Sequence, residues 1–500
     1  MADFRPGKIA KEAGITLTGE IYGGAARYFF VLLLARFAGP QLLGIYSIAN
    51  AITRLFSVIG LAGLDRGVMK YVSYNLSLGQ TEKANSYIHF VLKTGLFTGF
   101  FVFLTQLFLS SFITENFYPE ILELKFYLQL FSLILPFSIL GGIAAFSTQG
   151  FQRLKYKVLT IQVFQPTLLI IGILTFYYGG VDVSNLIKYP LLIAEISGFF
   201  LIIYFLTLLA PVRMGDVFRS SLKSDIIKFS LPLMFVGLLG MFMHWIDILM
   251  LGFYLEPEDV GIYQPAARTT GVIRMFLLAF SGIFSPMVSE FFAKGDTREL
   301  SRIYKLTFRW IFILSLPFLT VCLSRPVEIM NMFGPNFSIG ADVLVLLVIG
   351  MMFQALGGLA AGVLVMTERT KLALLNTIFA TILNITLNVW LIPNYGLIGA
   401  ALSTSITLFF LCITRIIQVW RLVNIQPFQI GLWKPVVVFV IVLTLSLAST
   451  NLYSEIHFVF NLICSMGFVG IITAGLLYIL RYNEEDKLVM KEIYNKFKKS

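Results

Sequence analysis

Apolar runs of bilayer length recur from one end of this chain to the other, and nothing else in the sequence restricts its fold so tightly. A window of about 19 residues, enough helix to cross roughly 30 Å of hydrocarbon, marks segments near 15–36, 42–64, 87–113, 125–147, 156–178 and 186–210. After a polar stretch at 211–228 come six more, near 229–251, 260–283, 303–323, 341–364, 371–392 and 397–420, and then two, near 433–450 and 457–480. A backbone in hydrocarbon must satisfy its own hydrogen bonds, so such runs fold as helices. The expected architecture is an all-α integral membrane protein of fourteen transmembrane helices. Composition excludes the alternative: with 57% of the 500 residues hydrophobic and 13% charged, a soluble fold would lack polar surface to cover itself. Soluble enzymes are excluded with it. Cys322, Cys412 and Cys464 all sit inside apolar runs, without a CxxC spacing or a nearby histidine, so neither a disulfide scaffold nor a metal site is expected. The first run carries Glu20 and Arg27 and has no small-residue cleavage motif, which reads as an uncleaved span rather than a signal peptide.

Basic residues orient these spans, because Lys and Arg are retained in short cytoplasmic loops. Alternate connections hold Arg5, Lys8 and Lys11; Arg66, Lys70 and Lys83; Arg153, Lys155 and Lys157; Arg213, Arg219, Lys223 and Lys228; Lys294, Arg298, Arg302 and Lys305; Arg369 and Lys371; Arg421 and Lys434; and six in the tail. The opposite set holds only Arg36, Lys125, Lys188 and Arg325, a ratio of 27 to 4, and is acidic, with Glu115, Glu120, Glu123, Asp182, Glu256, Glu258 and Asp259. Both termini are therefore expected on the cytoplasmic side of the cell membrane. The net charge of +11 is spread over one membrane face, which fits topology and lipid headgroups and leaves no reason to invoke nucleic acid.

The sequence also repeats itself. A shift of 217 lays Pro40, Gly44, Ile45, Tyr46 and Ala49 on Pro257, Gly261, Ile262, Tyr263 and Ala266, and a shift of 216 lays Leu140 to Ala145 on Leu356 to Ala361 and Arg153 on Arg369. Chance agreement at nearly one offset in several loops is implausible, although each Gly-Gly pair alone would read as helix packing. Six spans per repeat is an even number, so the repeats are parallel, related by a pseudo-two-fold along the membrane normal. The expected organisation is a six-helix lobe at 1–210, a cytoplasmic linker at 211–228, a second six-helix lobe at 229–420, two additional helices within 421–480, and a cytoplasmic tail at 481–500, with the site between the halves.

Charged residues at mid-bilayer cost about 2.5 to 3.5 kcal/mol on insertion scales, so they face a wet interior or each other. Span one carries Thr16, Glu20, Gly23 and Arg27, and span two carries Ser47, Asn50, Arg54 and Ser57, each set at the spacing of one helix face. Span seven carries Gly240, His244 and Asp247, and span eight Gln264, Arg268 and Gly271. These four stripes mark Asn50, His244 and Gln264 as cavity-lining. For any single member the bland reading, polar glue between helices with Glu20 or Asp247 neutralising an arginine, stands beside the functional one. Lys93, Arg309, Arg415 and Glu195 are assigned no role, as snorkelling, helix-end or locally paired charges. Pro166, Pro232, Pro265 and Pro317 are expected to interrupt helices. Leu488, Ile493 and Phe497 among the tail lysines fit an interfacial helix or a solvated tail equally. No phosphate-binding loop, HExxH or nucleophile elbow occurs, and the three histidines lie on separate spans, so no enzymatic activity or cofactor is expected.

Three motifs carry a resemblance to a known family: Leu33 to Tyr46 (LLARFAGPQLLGIY), Gly60 to Leu64 (GLAGL), and Pro393 to Ala401 (PNYGLIGAA). With them the chain resembles the polysaccharide, or lipid-linked oligosaccharide, flippases of the multidrug/oligosaccharidyl-lipid/polysaccharide exporter superfamily over nearly its whole length. The resemblance implies alternating access by two lobes, with helices one, two, seven and eight around a cavity that admits an isoprenoid-diphosphate-linked oligosaccharide while its polyprenyl tail stays in membrane lipid. Arg27, Arg54 and Arg268 are then the diphosphate ligands, since guanidinium stays charged and binds phosphate oxygens bidentately. With no nucleotide site, coupling to H+ or Na+ through Glu20 or Asp247 is the expected energy source, and other glycan-assembly membrane proteins are the expected partners. A cation-coupled small-molecule exporter is the alternative function. A membrane glycosyltransferase or polymerase fits the short external loops and the repeat less well.

Overall fold

A computed structural model describes residues 6–448 and 458–479, and every regular element among them is a helix. In chain order they are α1 (Pro6–Leu61), α2 (Leu64–Ser77), α3 (Thr81–Phe117), α4 (Leu122–Ser132), α5 (Leu135–Gly150), α6 (Leu154–Lys157), a π-helical stretch at Val158–Phe164, α7 (Gln165–Tyr178), α8 (Asn185–Thr207), α9 (Met214–Arg219), α10 (Ser224–Tyr254) and α11 (Pro257–Ala293). They continue with α12 (Thr297–Ser324), α13 (Pro326–Asn331), α14 (Ala341–Met366), α15 (Thr370–Val423), α16 (Trp433–Ala448) and α17 (Phe458–Ile479). Among the described residues nine helical stretches are long and apolar enough to cross a membrane, or ten if the 45° bent pair of α4 and α5 is one span. The chain is thus an all-helical, multi-pass membrane protein. The expected interfacial helix of the tail lies outside the described residues.

Two long helices contain a break that the sequence signals. In α1 the helical backbone is interrupted at Gly39 (φ 74°, ψ 177°), and in α15 at Gly396 (φ 57°, ψ −132°). Such positive φ values are disfavoured for any residue carrying a Cβ, and in α1 Pro40 then restarts the helix with its φ already fixed. Both breaks fall inside the resemblance motifs. Pro232, Pro265 and Pro317, expected to interrupt helices, instead lie within α10, α11 and α12.

The chain divides into two compact units between Gln264 and Pro265, inside α11. In the first unit, Val68 and Val72 of α2, Ile88 and Val91 of α3, Ile139 and Ile143 of α5, Ile202 and Leu206 of α8 and Ile226 of α10 form one buried apolar core. The linker is tied to α3. Lys93 Nζ donates to the carbonyls of Phe218 at 2.9 Å and Ser220 at 3.3 Å, capping the C-terminus of α9, where a cation is favoured by the helix dipole. His89 Nε2 meets the Pro211 carbonyl at 2.8 Å, and the Tyr87 hydroxyl donates to Asp225. Lys93, read from sequence as snorkelling, is a specific tether.

The repeat is visible in one reciprocal crossing within this unit. A Cβ on Gly44 would fall 2.6 Å from the Pro257 carbonyl carbon, and a Cβ on Gly261 would fall 2.6 Å from the Pro40 carbonyl carbon. Pro40 and Gly44 are the repeat equivalents of Pro257 and Gly261, so each contact is the image of the other, as a two-fold relation requires. Beside it, Tyr118 donates to the Leu249 carbonyl at 3.3 Å, and burial pushes its hydroxyl pKa up, keeping it a donor.

The second unit is held by amide pairing as well as apolar packing. Asn376 and Gln418, on either side of the α15 break, exchange hydrogen bonds of 2.6 and 2.9 Å, and Asn384 bonds Asn388 at 3.1 Å and Thr404 at 3.2 Å. Ser446 of α16 meets Ser324 of α12 at 2.8 Å, so the first of the two extra helices packs on the unit's core. Arg309 of α12 is buried at 3% exposure.

Candidate anion site in the first unit

The site begins with a proline. Pro166 has no N–H to donate to the carbonyl four residues back, and its ring crowds that carbonyl, which belongs to Gln162. The chain responds by widening to i→i+5 bonding over Val158–Phe164, with the Gln165 N–H bonded to the Thr160 carbonyl. The wider turn spreads Gln162 and Gln165 further around the axis than an α-helix would, and they engage different neighbours.

Gln162 faces α1. Glycine at position 23 lets it approach, since a Cβ there would lie 2.5 Å from Gln162 Oε1 and 2.8 Å from its carbonyl oxygen. In the space so left, Arg27 Nη1 donates to Gln162 Oε1 at 2.7 Å and Gln162 Nε2 donates to Glu20 Oε1 at 2.7 Å. The stripe Glu20, Gly23, Arg27 is therefore one face, as its spacing predicts, but its charges are joined through an amide from another helix. Glutamine suits this place because its carbonyl accepts from the cation while its NH2 donates to the anion.

Gln165 faces α8. Its Nε2 donates to Glu195 Oε2 at 3.1 Å, and the other carboxylate oxygen lies 3.6 Å from Arg54 Nη2. The Glu195 side chain is 14% exposed and that of Arg54 42%, so the acid is enclosed while the guanidinium keeps accessible surface. Asn50, Thr53, Arg54, Phe131, Leu191 and Glu195 are among the residues lining a small, narrow cleft. The cleft presents an arginine, amide and hydroxyl groups against apolar walls, a chemistry suited to an anionic group attached to something less polar.

The remaining sequence candidates are placed as follows. Asp247 accepts from the Tyr263 hydroxyl at 2.9 Å, joining α10 to α11. The repeat equivalents of this pair are Phe30 and Tyr46, which pack edge to face at 5.9 Å, so one position has an apolar contact in the first repeat and a polar one in the second. His244 is exposed, with its ring edge-on to Trp245 at 5.1 Å, and Gln264 is buried at 4%. Arg268 is half-buried on α11 in the second unit. Sequence reasoning missed Gln162, Gln165 and Glu195. Gln162 and Gln165 interrupt an apolar run at a spacing of three, the same signal used for the other stripes, and Glu195 was set aside as locally paired; its partner proves to be a candidate ligand.

The two repeats differ at these positions. Glu20, Arg27, Arg54, Gln162, Gln165 and Glu195 correspond by the 217 and 216 shifts to Gly237, His244, Gly271, Ile378, Thr381 and Leu411. The Arg–Gln–Glu networks thus occur in one repeat only, which a purely architectural role common to both would not produce.

Comparison with known proteins bears on what such a bundle does. The family model described as polysaccharide biosynthesis protein matches residues 9–292, more than half of the chain. The chain belongs to the polysaccharide biosynthesis protein family. A second model, MatE, matches residues 232–390. A probable low-salt glycan biosynthesis flippase, Agl15 of Haloferax volcanii, is 28% identical over 169 residues, covering 34% of this chain and 36% of that one. The match therefore spans about a third of that relative. An uncharacterized membrane protein of Methanocaldococcus jannaschii is 23% identical over 434 residues, 84% of each chain. Among solved structures, the lipid II flippase MurJ in an inward closed conformation superposes with a TM-score of 0.73 over 94% of this chain and 98% of its own, at 16% identity, a likeness of fold. These comparisons give the polysaccharide biosynthesis family member described here the fold of the MurJ flippase, and for this chain the transport activity of its relatives is a proposal.

Proposed function

We propose that this protein is a flippase that moves an isoprenoid-diphosphate-linked oligosaccharide across the cell membrane by alternating access, for assembly of a surface polysaccharide. The observation that carries the reading is the pair of networks that present Arg27 and Arg54 from apolar helices, together with the cleft beside Arg54. A diphosphate is the substrate part such arginines can hold, and an isoprenoid tail is the part a lipid-facing bundle need not enclose. Arg268, on α11 of the second unit, is the third proposed ligand, and Asn50, His244 and Gln264 are proposed to line the path. The named flippase relative supports the class of cargo.

Fourteen transmembrane helices belong to this reading. The 56-residue α1 and the 54-residue α15 are each broken once at glycine, which makes two spans of each, and α4 with α5, α16 and α17 supply the rest. Both termini are proposed to be cytoplasmic, on the distribution of basic residues, with lobes at 1–210 and 229–420. Coupling is proposed to run on H+ or Na+ through Glu20 or Asp247, whose contacts include Gln162 and Tyr263 respectively. A cation-coupled small-molecule exporter is the second reading, favoured by the MatE match.

The test is translocation of a fluorescent isoprenoid-diphosphate sugar in proteoliposomes. Each of Arg27→Ala and Arg54→Ala should reduce it by about tenfold or more, the worth of one charge-assisted hydrogen bond, with the protein still inserted and monodisperse. Arg→Lys should restore only part. Unchanged translocation in both Ala variants, or efflux of a cationic dye with no diphosphate transport, overturns the reading.

A further inference from the structure

We infer that Glu195 is the positioning residue of the Arg54 site: its carboxylate occupies the guanidinium while no substrate is bound and exchanges with a substrate phosphate as the diphosphate enters and leaves. The inference rests on the diphosphate reading above and adds a release step to it.

The geometry is that of an anion held in reserve. Glu195 is anchored from behind, by Gln165 Nε2 on Oε2 at 3.1 Å, and offers Oε1 to Arg54 Nη2 at 3.6 Å. At that separation the contact is an ion pair looser than a direct hydrogen bond, which for N–H···O spans about 2.7 to 3.2 Å. Glycine at position 198 leaves room for the anchor, because a Cβ there would lie 2.5 Å from Gln165 Nε2 and displace the amide. The cleft residues include both charged partners, so an incoming phosphate meets Arg54 and the Glu195 carboxylate together. Arginine offers five donors in a fixed fork, and one carboxylate oxygen near one Nη leaves donors for a second anion.

A transporter gains from such competition. An arginine that bound a diphosphate without any rival anion would hold it tightly and release it slowly, and uniform tight binding does not raise turnover. A fixed carboxylate lowers the affinity and gives the guanidinium a partner when the cargo departs, so that no bare cation is left among the apolar walls of the cleft. The repeat agrees with this division of labour: Arg54, Gln165 and Glu195 correspond to Gly271, Thr381 and Leu411, so all three members of the set are missing together from the second repeat.

Binding of farnesyl diphosphate to the purified full chain in detergent tests the idea, followed by the proteoliposome assay. Arg54→Ala should weaken binding by about tenfold or more. Glu195→Gln, which preserves shape and a contact to Gln165, should tighten it by about fivefold or more, since a rival charge is removed. Gln165→Leu should do the opposite, because the released Glu195 can close on Arg54. The Arg54→Ala, Glu195→Gln double variant should bind no tighter than Arg54→Ala. In transport, Glu195→Gln should lower KM and kcat together, whereas loss of a merely structural pair lowers kcat or yield without lowering KM. If the wild type fails to bind the probe, or Arg54→Ala binds as well as wild type, the diphosphate reading itself fails. If Arg54→Ala loses binding while Glu195→Gln is unchanged or weaker, only the exchange role fails. Should Glu195→Gln not yield monodisperse protein, unchanged affinity in Gln165→Leu overturns the exchange role alone.

Discussion

Replacing Gly44 by alanine puts one methyl group where no atom can readily yield. Its Cβ would overlap the Pro257 carbonyl, 2.6 Å from the carbonyl carbon and 3.0 Å from the Gly261 nitrogen, all main-chain atoms of α11. Overpacking of this kind costs about 1 to 3 kcal/mol, and backbone neighbours place it in the upper part of that range. Alanine's better helix propensity offsets about 1 kcal/mol, leaving a net loss of roughly 1 to 2 kcal/mol. Gly261→Ala should cost the same within experimental error, since its Cβ meets the Pro40 carbonyl carbon at 2.6 Å and Pro40 Cα at 3.0 Å in the mirrored contact. Gly240, which has nothing within 4 Å of its Cβ position, is the control: Gly240→Ala should be neutral or gain up to about 1 kcal/mol. The difference between crossing and control is then roughly 1 to 3 kcal/mol, a factor of about 5 to 150 in the folding equilibrium. Intrinsic fluorescence during unfolding in detergent reads it, with Trp245 buried in the same unit at 6% exposure. If Gly44→Ala and Gly261→Ala differ strongly, or neither is less stable than Gly240→Ala, the reciprocal crossing is not what holds these helices together.

Topology is checked by impermeant thiol labelling of intact cells in a background without the native cysteines. Single cysteines at the exposed Glu120 and Asn336 should label and those at Lys155 and Lys223 should not, while Tyr118, buried at 7%, is silent despite its neighbours. Gln162→Leu should remove the bridge between Arg27 and Glu20 and lower transport by about tenfold or more, two charge-assisted bonds being lost; transport at the wild-type rate would show the amide to be incidental. Gly23→Ala, whose Cβ would fall 2.5 Å from Gln162 Oε1 and 2.8 Å from the Gln162 carbonyl oxygen, should resemble Gln162→Leu in transport and also lower stability, because one of the atoms it meets is backbone that cannot readily yield. Asp247→Asn should abolish ion-driven transport and retain downhill exchange if that acid couples the ion; intact gradient-driven transport in both Asp247→Asn and Glu20→Gln would remove the coupling proposal.

The helical membrane fold and the stripe Glu20, Gly23, Arg27 could be read from the chain alone, because each depends on a local period or on the free energy of one helix in hydrocarbon. The breaks in α1 and α15 were legible for the same reason: glycine and proline act on their own backbone. What the sequence could not supply was partnership. Glu195 looked like a locally paired charge, and only folding put it 3.6 Å from Arg54, 141 positions away in the chain. Gln162 and Gln165 were polar interruptions of an apolar run until Pro166 widened the turn and sent them to different helices. Lys93 passed for a snorkelling residue until α9 offered it carbonyls. Periodicity fixes which face of a helix is polar, but the partner of that face depends on which helices pack and at what rotation. Those are set by close-approach positions such as Gly23, Gly44 and Gly261, whose meaning is only realised when another helix arrives.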